Sequence, residues 1–490
     1  MSRALSQALE AACRSFGDAV ALSGATGALR YTQLAERARG VARLLADAGL
    51  EANEPVHVRV SNQALDLAAL LGVWLAGGVA VAMHRATPAS LAASLQQRSR
   101  ARFAVDLQGT GAAPLSTIST DLPPKRALLD DAALIIFTSG STGVPKGVVL
   151  GHDAFYAKIQ QIDALLGFRT DDRVLLVLNI TFGFGLWLSL LTLLRGGTLV
   201  MSPKFEPEAF LRALLTERIT RVAMVPTMMR VVFSDEGHAT AIDHVAQRGV
   251  LRQILIGGES LGVSLAQTIR RRFTGTQLID IYGLSETSTC DFFAFPADSA
   301  KTPGSIGRPS PNVSYRIADA LGNPVDAGAV GELQIRSPYL MRGYLDDPEL
   351  SAASYSDAWF KTGDLARERE TGAVELMGRQ KEVINRGGNK LSPVEIEQAI
   401  CSHADVAAAM AVGIADALLG ERLHVLVVPR AGVSPSIGAL RQHLASRLEP
   451  FKQPDAFYVA DALPLGRTGK ADRGQFKGMV TSGELHPITP

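Results

Sequence analysis

Between Thr138 and Gly147 the chain reads TSGSTGVPKG, which places four small hydroxyl residues (Thr138, Ser139, Ser141 and Thr142), three glycines and Lys146 within ten positions. Such a stretch is suited to wrapping phosphates, because backbone N–H groups and hydroxyls donate to the oxygens while the ammonium offsets their charge. It is not a Walker A loop, since no Gly-Lys-Ser/Thr follows a four-residue gap after a glycine. A second glycine pair closes the apolar run ILIGGES at 254–260, where the absence of a Cβ lets a flat base or an acyl group approach the backbone. Near the end of the chain Lys470 follows Gly469 in LPLGRTGKADR, a segment with little apolar content. A lysine there is solvated by default unless the fold carries it elsewhere.

Something must position these residues, and the surrounding pattern says what. Helical stretches such as QLAERARGVARLLADAGL alternate with short apolar runs, VHVRV, AALIIF, VLLVLNI, GTLVM, RVAMV and QILIG. That alternation predicts α/β layers with strands buried on both faces. Around residues 312–336 shorter strands and a Gly322-Asn323-Pro324 turn predict a mainly antiparallel β subdomain. From residue 381 onward a new mixture of helix and strand is long enough for a small α+β domain. The expected division is therefore a large N-terminal domain over residues 1–380 and a small C-terminal one over 381–490.

Composition narrows the function classes. Lys plus Arg number 49 and Asp plus Glu 48, a net charge of +1, so no strong field favours nucleic acid or an anionic membrane. Cys13, Cys290 and Cys401 lie far apart without metal-like spacing, which points to a reducing compartment. No apolar core of the signal-peptide type opens the chain, so the expected location is the cytoplasm. One run, VLLVLNITFGFGLWLSLLTLL at 174–194, is uncharged and long enough to cross a bilayer. Asn179, Thr181, Gly183 and Gly185 in its middle argue instead for a buried strand, a turn and a buried helix.

Taken in order, TSGSTGVPKG, YGLSET at 282–287, FKTGDLA at 360–366, GRQKEVINRGGNKLSPVEIE at 378–397 and PLGRTGK at 464–470 resemble the motifs of the adenylate-forming superfamily. That superfamily includes acyl-CoA and aryl-CoA synthetases, peptide-synthetase adenylation domains and luciferases. The resemblance spans nearly the whole chain and implies a mobile C-terminal domain. It also implies that Thr138, Ser139, Gly140, Ser141, Thr142 and Lys146 hold the β- and γ-phosphates of ATP. Tyr282 and Gly283 then lie against adenine, Ser285 on the α-phosphate, and Glu286 is the Mg²⁺ carboxylate. Gly258 and Glu259 stand near the base, Asp364 accepts the ribose hydroxyls, and Arg379 makes a second ribose contact. Lys470 resembles the lysine that bridges the carboxylate and the α-phosphate. Lys381 occupies the hinge position, and Gly387 with Gly388 resembles the loop that lines the thiol tunnel after the small domain rotates.

By the same resemblance the 174–194 run supplies the wall of the acyl pocket. Phe182 stands where related enzymes carry His, or Asp to take an α-amino group, so α-amino acids are poor candidates. Phe182-Gly183-Phe184-Gly185 looks like the Phe-x-Tyr-Gly of benzoate-type ligases, and its two rings suit an aromatic or compact apolar acid. Ile256, Gly257, Ile281, Gly283 and Ser288 are expected to complete that pocket. Two departures stand out: AMHRATP at 82–88 lacks the usual proline-rich form, and Thr287-Ser288 replaces a common Ala-Gly or Ala-Met. The implied activity is ATP-dependent activation of a carboxylic acid to an acyl-adenylate, then transfer to coenzyme A with release of AMP and pyrophosphate. A carrier-protein phosphopantetheine in trans is the alternative acceptor. A non-enzymatic nucleotide sensor is the reading of a different class, and Lys470, Glu286 and Asp364 together argue against it.

Overall fold

The computed structural model describes residues 3–24, 27–108, 113–138, 145–430, 432–466 and 470–488. The largest sheet has nine strands, and its centre is parallel: Gln277–Tyr282, Gln253–Gly257, Arg221–Met224, Arg173–Leu176, Thr198–Met201 and Val20–Gly24 lie side by side. Each is a short apolar run, as expected for strands covered on both faces. A second sheet of seven strands has the parallel core Ala132–Thr138, Val79–His84, Pro55–Val60 and Phe103–Val105. Helices fill the layers around both sheets, and buried side chains from them share one continuous core.

An antiparallel sheet follows, built from Ser314–Ala318, Gly331–Arg336, Trp359–Glu368 and Val374–Arg379. The C-terminal sheet comprises Ile384–Arg386, Asn389–Leu391, Val406–Asp416, Gly420–Pro429 and Ala456–Val459. Its apolar clusters draw only on residues from Ile384 onward. The one-turn helix Gln380–Glu382 connects these two sheets.

The uncharged run folds as a strand, a turn and a helix. Its strand is shorter than the apolar pattern suggests, ending at Leu176. Asn62 explains the ending: its amide accepts from Ile180 N at 3.1 Å and donates to Leu178 O at 2.9 Å, replacing ladder bonds with side-chain ones. The helix Gly183–Leu194 is 12 residues long, about 18 Å at the usual rise, well short of a ~30 Å hydrocarbon layer. It is apolar all round because it is enclosed all round, with Leu186, Trp187, Leu188 and Leu191 at most 1% exposed. Ser189 and Thr192 donate to carbonyls one turn back, which satisfies their buried hydroxyls. No helix among the described residues is long and apolar enough to cross a membrane.

Candidate active site

Strand ends set the first group of residues. Gln277–Tyr282 delivers Tyr282, whose phenol donates to Asp364 Oδ2 at 2.6 Å. Asp364 and Arg379 face each other across adjacent strands, and Arg379 Nε lies 3.1 Å from Asp364 Oδ1. Burial pushes the Asp364 carboxyl up, opposed by the Arg379 charge and the Tyr282 hydrogen bond. Each carboxylate oxygen has two lone pairs, so one acceptor site on each remains for a diol.

The neighbouring strand Gln253–Gly257 ends at the glycine pair. Gly258 has φ +86°, and a Cβ built there meets Cε and Nζ of Lys470 at 3.0 Å. A lysine 212 positions away in sequence is thus seated against this turn. Glu259 secures it: Oε1 accepts from Ala471 N at 2.7 Å, while Oε2 accepts from Thr227 N and Oγ1 at 3.1 and 2.7 Å. Burial lowers the Lys470 pKa, Glu259 opposes the shift, and the Arg379 charge adds to it. A lysine destabilised in this way favours an anion arriving beside it.

Thr138 closes the strand Ala132–Thr138 and pairs directly with Lys146, which opens Lys146–Gly151. Ser139, Gly140, Ser141 and Thr142 lie outside the described residues. Lys146 Nζ stands 5.4 Å from the centre of the Tyr344 ring, and the Tyr344 hydroxyl donates to Glu286 Oε1 at 3.0 Å. Tyr344 was missed in the sequence; its only signal is the Gly-Tyr of MRGYLDDPEL, 58 positions beyond Glu286. Ser285 and Glu286 occupy a one-turn helix, Ser285–Thr287. No group of three or more His, Cys, Asp or Glu that could hold a metal occurs among the described residues. A single half-buried carboxylate suits Mg²⁺, which is held by one or two carboxylates with phosphate oxygens and water.

Behind that turn Ser288, Thr289 and Cys290 take φ values of 57°, 69° and 55° in succession. Three consecutive left-handed residues without a glycine are strained and persist only when their surroundings fix them. Here Thr287 Oγ1 bonds Asp291, and Asp291 is paired at 3.3 Å with Lys158, both side chains fully buried. Lys158 also donates to Ser310 at 3.1 Å. The Ser288 hydroxyl is spent on Tyr339 O at 2.6 Å.

Phe184 brings the entry of the uncharged helix up to Gly257. Phe182 precedes the helix Gly183–Leu194. A Cβ on Gly185 would lie 2.6 Å from Asn179 O, so only glycine allows this tight entry. Phe184 stacks on Trp187 at 5.5 Å, and its Cε1 would be 3.3 Å from a Cβ on Gly257. That same point lies 2.3 Å from Ile281 O, and one on Gly183 lies 3.9 Å from Thr289. A Cβ on Gly283 would strike Cys290 N at 2.2 Å. Ile256, one residue before Gly257, turns its side chain to the opposite face of the sheet and is fully buried. Elsewhere, Lys381 is exposed, and Gly387 and Gly388 form the exposed hairpin turn between Ile384–Arg386 and Asn389–Leu391, with φ of +55° and +82°. The structure therefore brings Phe184, Ile281 and Lys470 to the Gly257–Gly258 turn, while Gly387 and Gly388 stay in their own sheet beside Leu419.

A lysine from beyond the C-terminal sheet thus rests on the glycine turn at the carboxyl end of parallel strands. The chain belongs to the AMP-binding enzyme family: the family model matches residues 9–345, and that of the AMP-binding enzyme C-terminal domain matches residues 395–470. It is similar to an indoleacetate–CoA ligase of Aromatoleum aromaticum, 34% identical over 349 residues, 71% of this chain and 67% of that one. A salicylyl-CoA synthase / salicylate adenylyltransferase of a Streptomyces species is 29% identical over an alignment covering 98% of this chain and 94% of that one. The fold matches that of the anthranilate CoA ligase AuaEII in complex with anthranoyl-AMP at a TM-score of 0.87, with 21% identity and 98% of each chain covered.

Proposed function

We propose that the protein joins an aromatic or compact apolar carboxylic acid to coenzyme A through an acyl-adenylate, releasing AMP and pyrophosphate. It is an AMP-forming acid–thiol ligase, and the seating of Lys470 against Gly258 is the observation that carries the residue-level reading. A carboxylic acid of pKa ~4 is already an anion at neutral pH, so no general base is needed for attack on the α-phosphorus. What the site must supply is orientation and neutralisation of charge. In this reading Asp364 and Arg379 hold the ribose, Tyr282 and Gly258 border the base, and Ser285 meets the α-phosphate. Lys146 with the hydroxyl loop takes the departing phosphates. Glu286 would hold Mg²⁺, and the bound ion would supply charge neutralisation on the phosphates. Lys470 places its ammonium where the incoming carboxylate and the α-phosphate converge.

The acid class rests on Phe184, stacked on Trp187 and facing Gly257, and on Phe182 in place of an acid that could pair an ammonium. The names of the indoleacetate- and salicylate-activating relatives support an aromatic acid. Residues 381–490 act as a mobile domain that turns about Lys381 after adenylation and brings Gly387 and Gly388 to the thiol. The test is pyrophosphate release from ATP and Mg²⁺ across a panel of acids, with coenzyme A, with a phosphopantetheinylated carrier protein, or with neither. Sustained turnover with aryl acids and coenzyme A is expected. Turnover only with the carrier protein would replace coenzyme A as acceptor, and turnover only with α-amino acids would overturn the pocket assignment.

A further inference from the structure

Resting on the adenylating reading above, we propose that Tyr344 is a positioning residue that holds the metal-side carboxylate and the phosphate-side lysine in one fixed arrangement. Its hydroxyl donates to Glu286 Oε1 at 3.0 Å, and its ring carries the Lys146 ammonium at 5.4 Å. No other described contact joins these two charged groups, which are 140 positions apart in the chain.

The placement is built, not incidental. Gly343–Tyr344 pairs antiparallel with the strand that Lys146 opens, with Tyr344 opposite Val148. Flanking bonds from Arg342 N to Val149 O and from Leu345 N to Gly147 O, at 2.9 and 2.7 Å, pin the segment on both sides. Met341 N donates to the backbone carbonyl of Glu286 at 2.7 Å, so the same segment also grips the Glu286 turn. Tyr344 N donates to Ser351 Oγ at 2.8 Å, fixing the residue from behind. The consequence for Glu286 is directional: the phenol takes one acceptor site of Oε1 and fixes how the carboxylate is turned toward a cation. A cation over the ring face also draws electron density from the phenol and strengthens its proton as a donor. The ammonium that a departing pyrophosphate needs and the carboxylate that would hold the metal are thereby kept at a set offset before nucleotide arrives, a preorganisation of the electrostatics.

Tyr344→Phe removes the hydroxyl and keeps the ring, whereas Tyr344→Leu removes both. Binding of Mn²⁺ in the presence of α,β-methylene-ATP, followed by electron paramagnetic resonance, reads the metal side without turnover. The expected half-saturating Mn²⁺ rises about five- to tenfold in Tyr344→Phe, the loss of one hydrogen bond to a charged group. The KM for the acid stays at its wild-type value in that variant, and the protein remains folded at the assay temperature. Tyr344→Leu should add a rise in half-saturating nucleotide through Lys146, and if that variant fails to fold, Tyr344→Phe still decides. Wild-type Mn²⁺ binding in Tyr344→Phe would overturn the proposal while leaving the ligase reading intact. A wild-type protein that neither binds Mn²⁺ with the analogue nor releases pyrophosphate would remove the reading beneath it.

Discussion

At the scale of single residues, Lys470 carries a cost that ligand-free protein should reveal. Its pKa is lowered by burial, so the docked form binds its proton less well than an unfolded chain does. The penalty is complete below the lowered pKa and is relieved as pH rises from there toward 10.5, the ordinary value. Lys470→Met should therefore raise the melting temperature of the ligand-free protein near neutral pH, by an amount that shrinks as the solution becomes alkaline. Added MgATP should reverse the ranking, because only the wild type gains a charge partner. A steric prediction sits beside it: Gly257→Ala puts a methyl 2.3 Å from Ile281 O, and a urea titration should show a loss of about 1–3 kcal/mol. These residues were readable in the sequence as motif positions. Their contacts were not, since the partners of Glu259 and Glu286 include Ala471 and Tyr344, far along the chain and invisible to any local pattern.

Among elements, the one-turn helix at Glu286 depends on the left-handed residues after it, and these depend on a buried ion pair. Lys158→Met leaves Asp291 buried without its cation, a change of the kind that costs about 3–5 kcal/mol. Denaturant unfolding should show that loss, and Lys158→Met combined with Asp291→Leu should recover part of it, because no lone charge then remains. The pair was not legible beforehand: Lys158 sits in the helix His152–Leu166, where a lysine ordinarily reads as solvated. Apolar periodicity did anticipate the strands Gln253–Gly257 and Arg221–Met224 and the helix Tyr31–Asp47. It overran at VLLVLNI, where Asn62 from another loop takes the backbone of Leu178 and Ile180 away from the sheet. Burial favours a strand there, and one distant amide decides against it.

For the whole molecule, Lys470 rests against the Gly258 turn and the Gly387-Gly388 turn is exposed in its own sheet, which under the proposed function is the disposition for adenylation. If the small domain turns about Lys381, stiffening that point should separate the two steps. Lys381→Pro fixes φ and removes a donor, so thioester formation is expected to slow more than about tenfold while pyrophosphate exchange persists. Equal loss of both steps would place the hinge elsewhere. The succession from α/β layers through an antiparallel subdomain to a terminal mixture of helix and strand was legible from pattern shifts, whereas the split of the layers into two sheets was not. How the last sheet docks was not, since a polar lysine-bearing tail carries no apolar signal for its destination. The central claim is that this tail completes the adenylating site, and the most direct measurement is ATP–pyrophosphate exchange with an aryl acid in wild type and Lys470→Met. Exchange reduced by about 10²–10³-fold, with MgATP still bound and the fold intact, is the predicted result; exchange at the wild-type rate would contradict it.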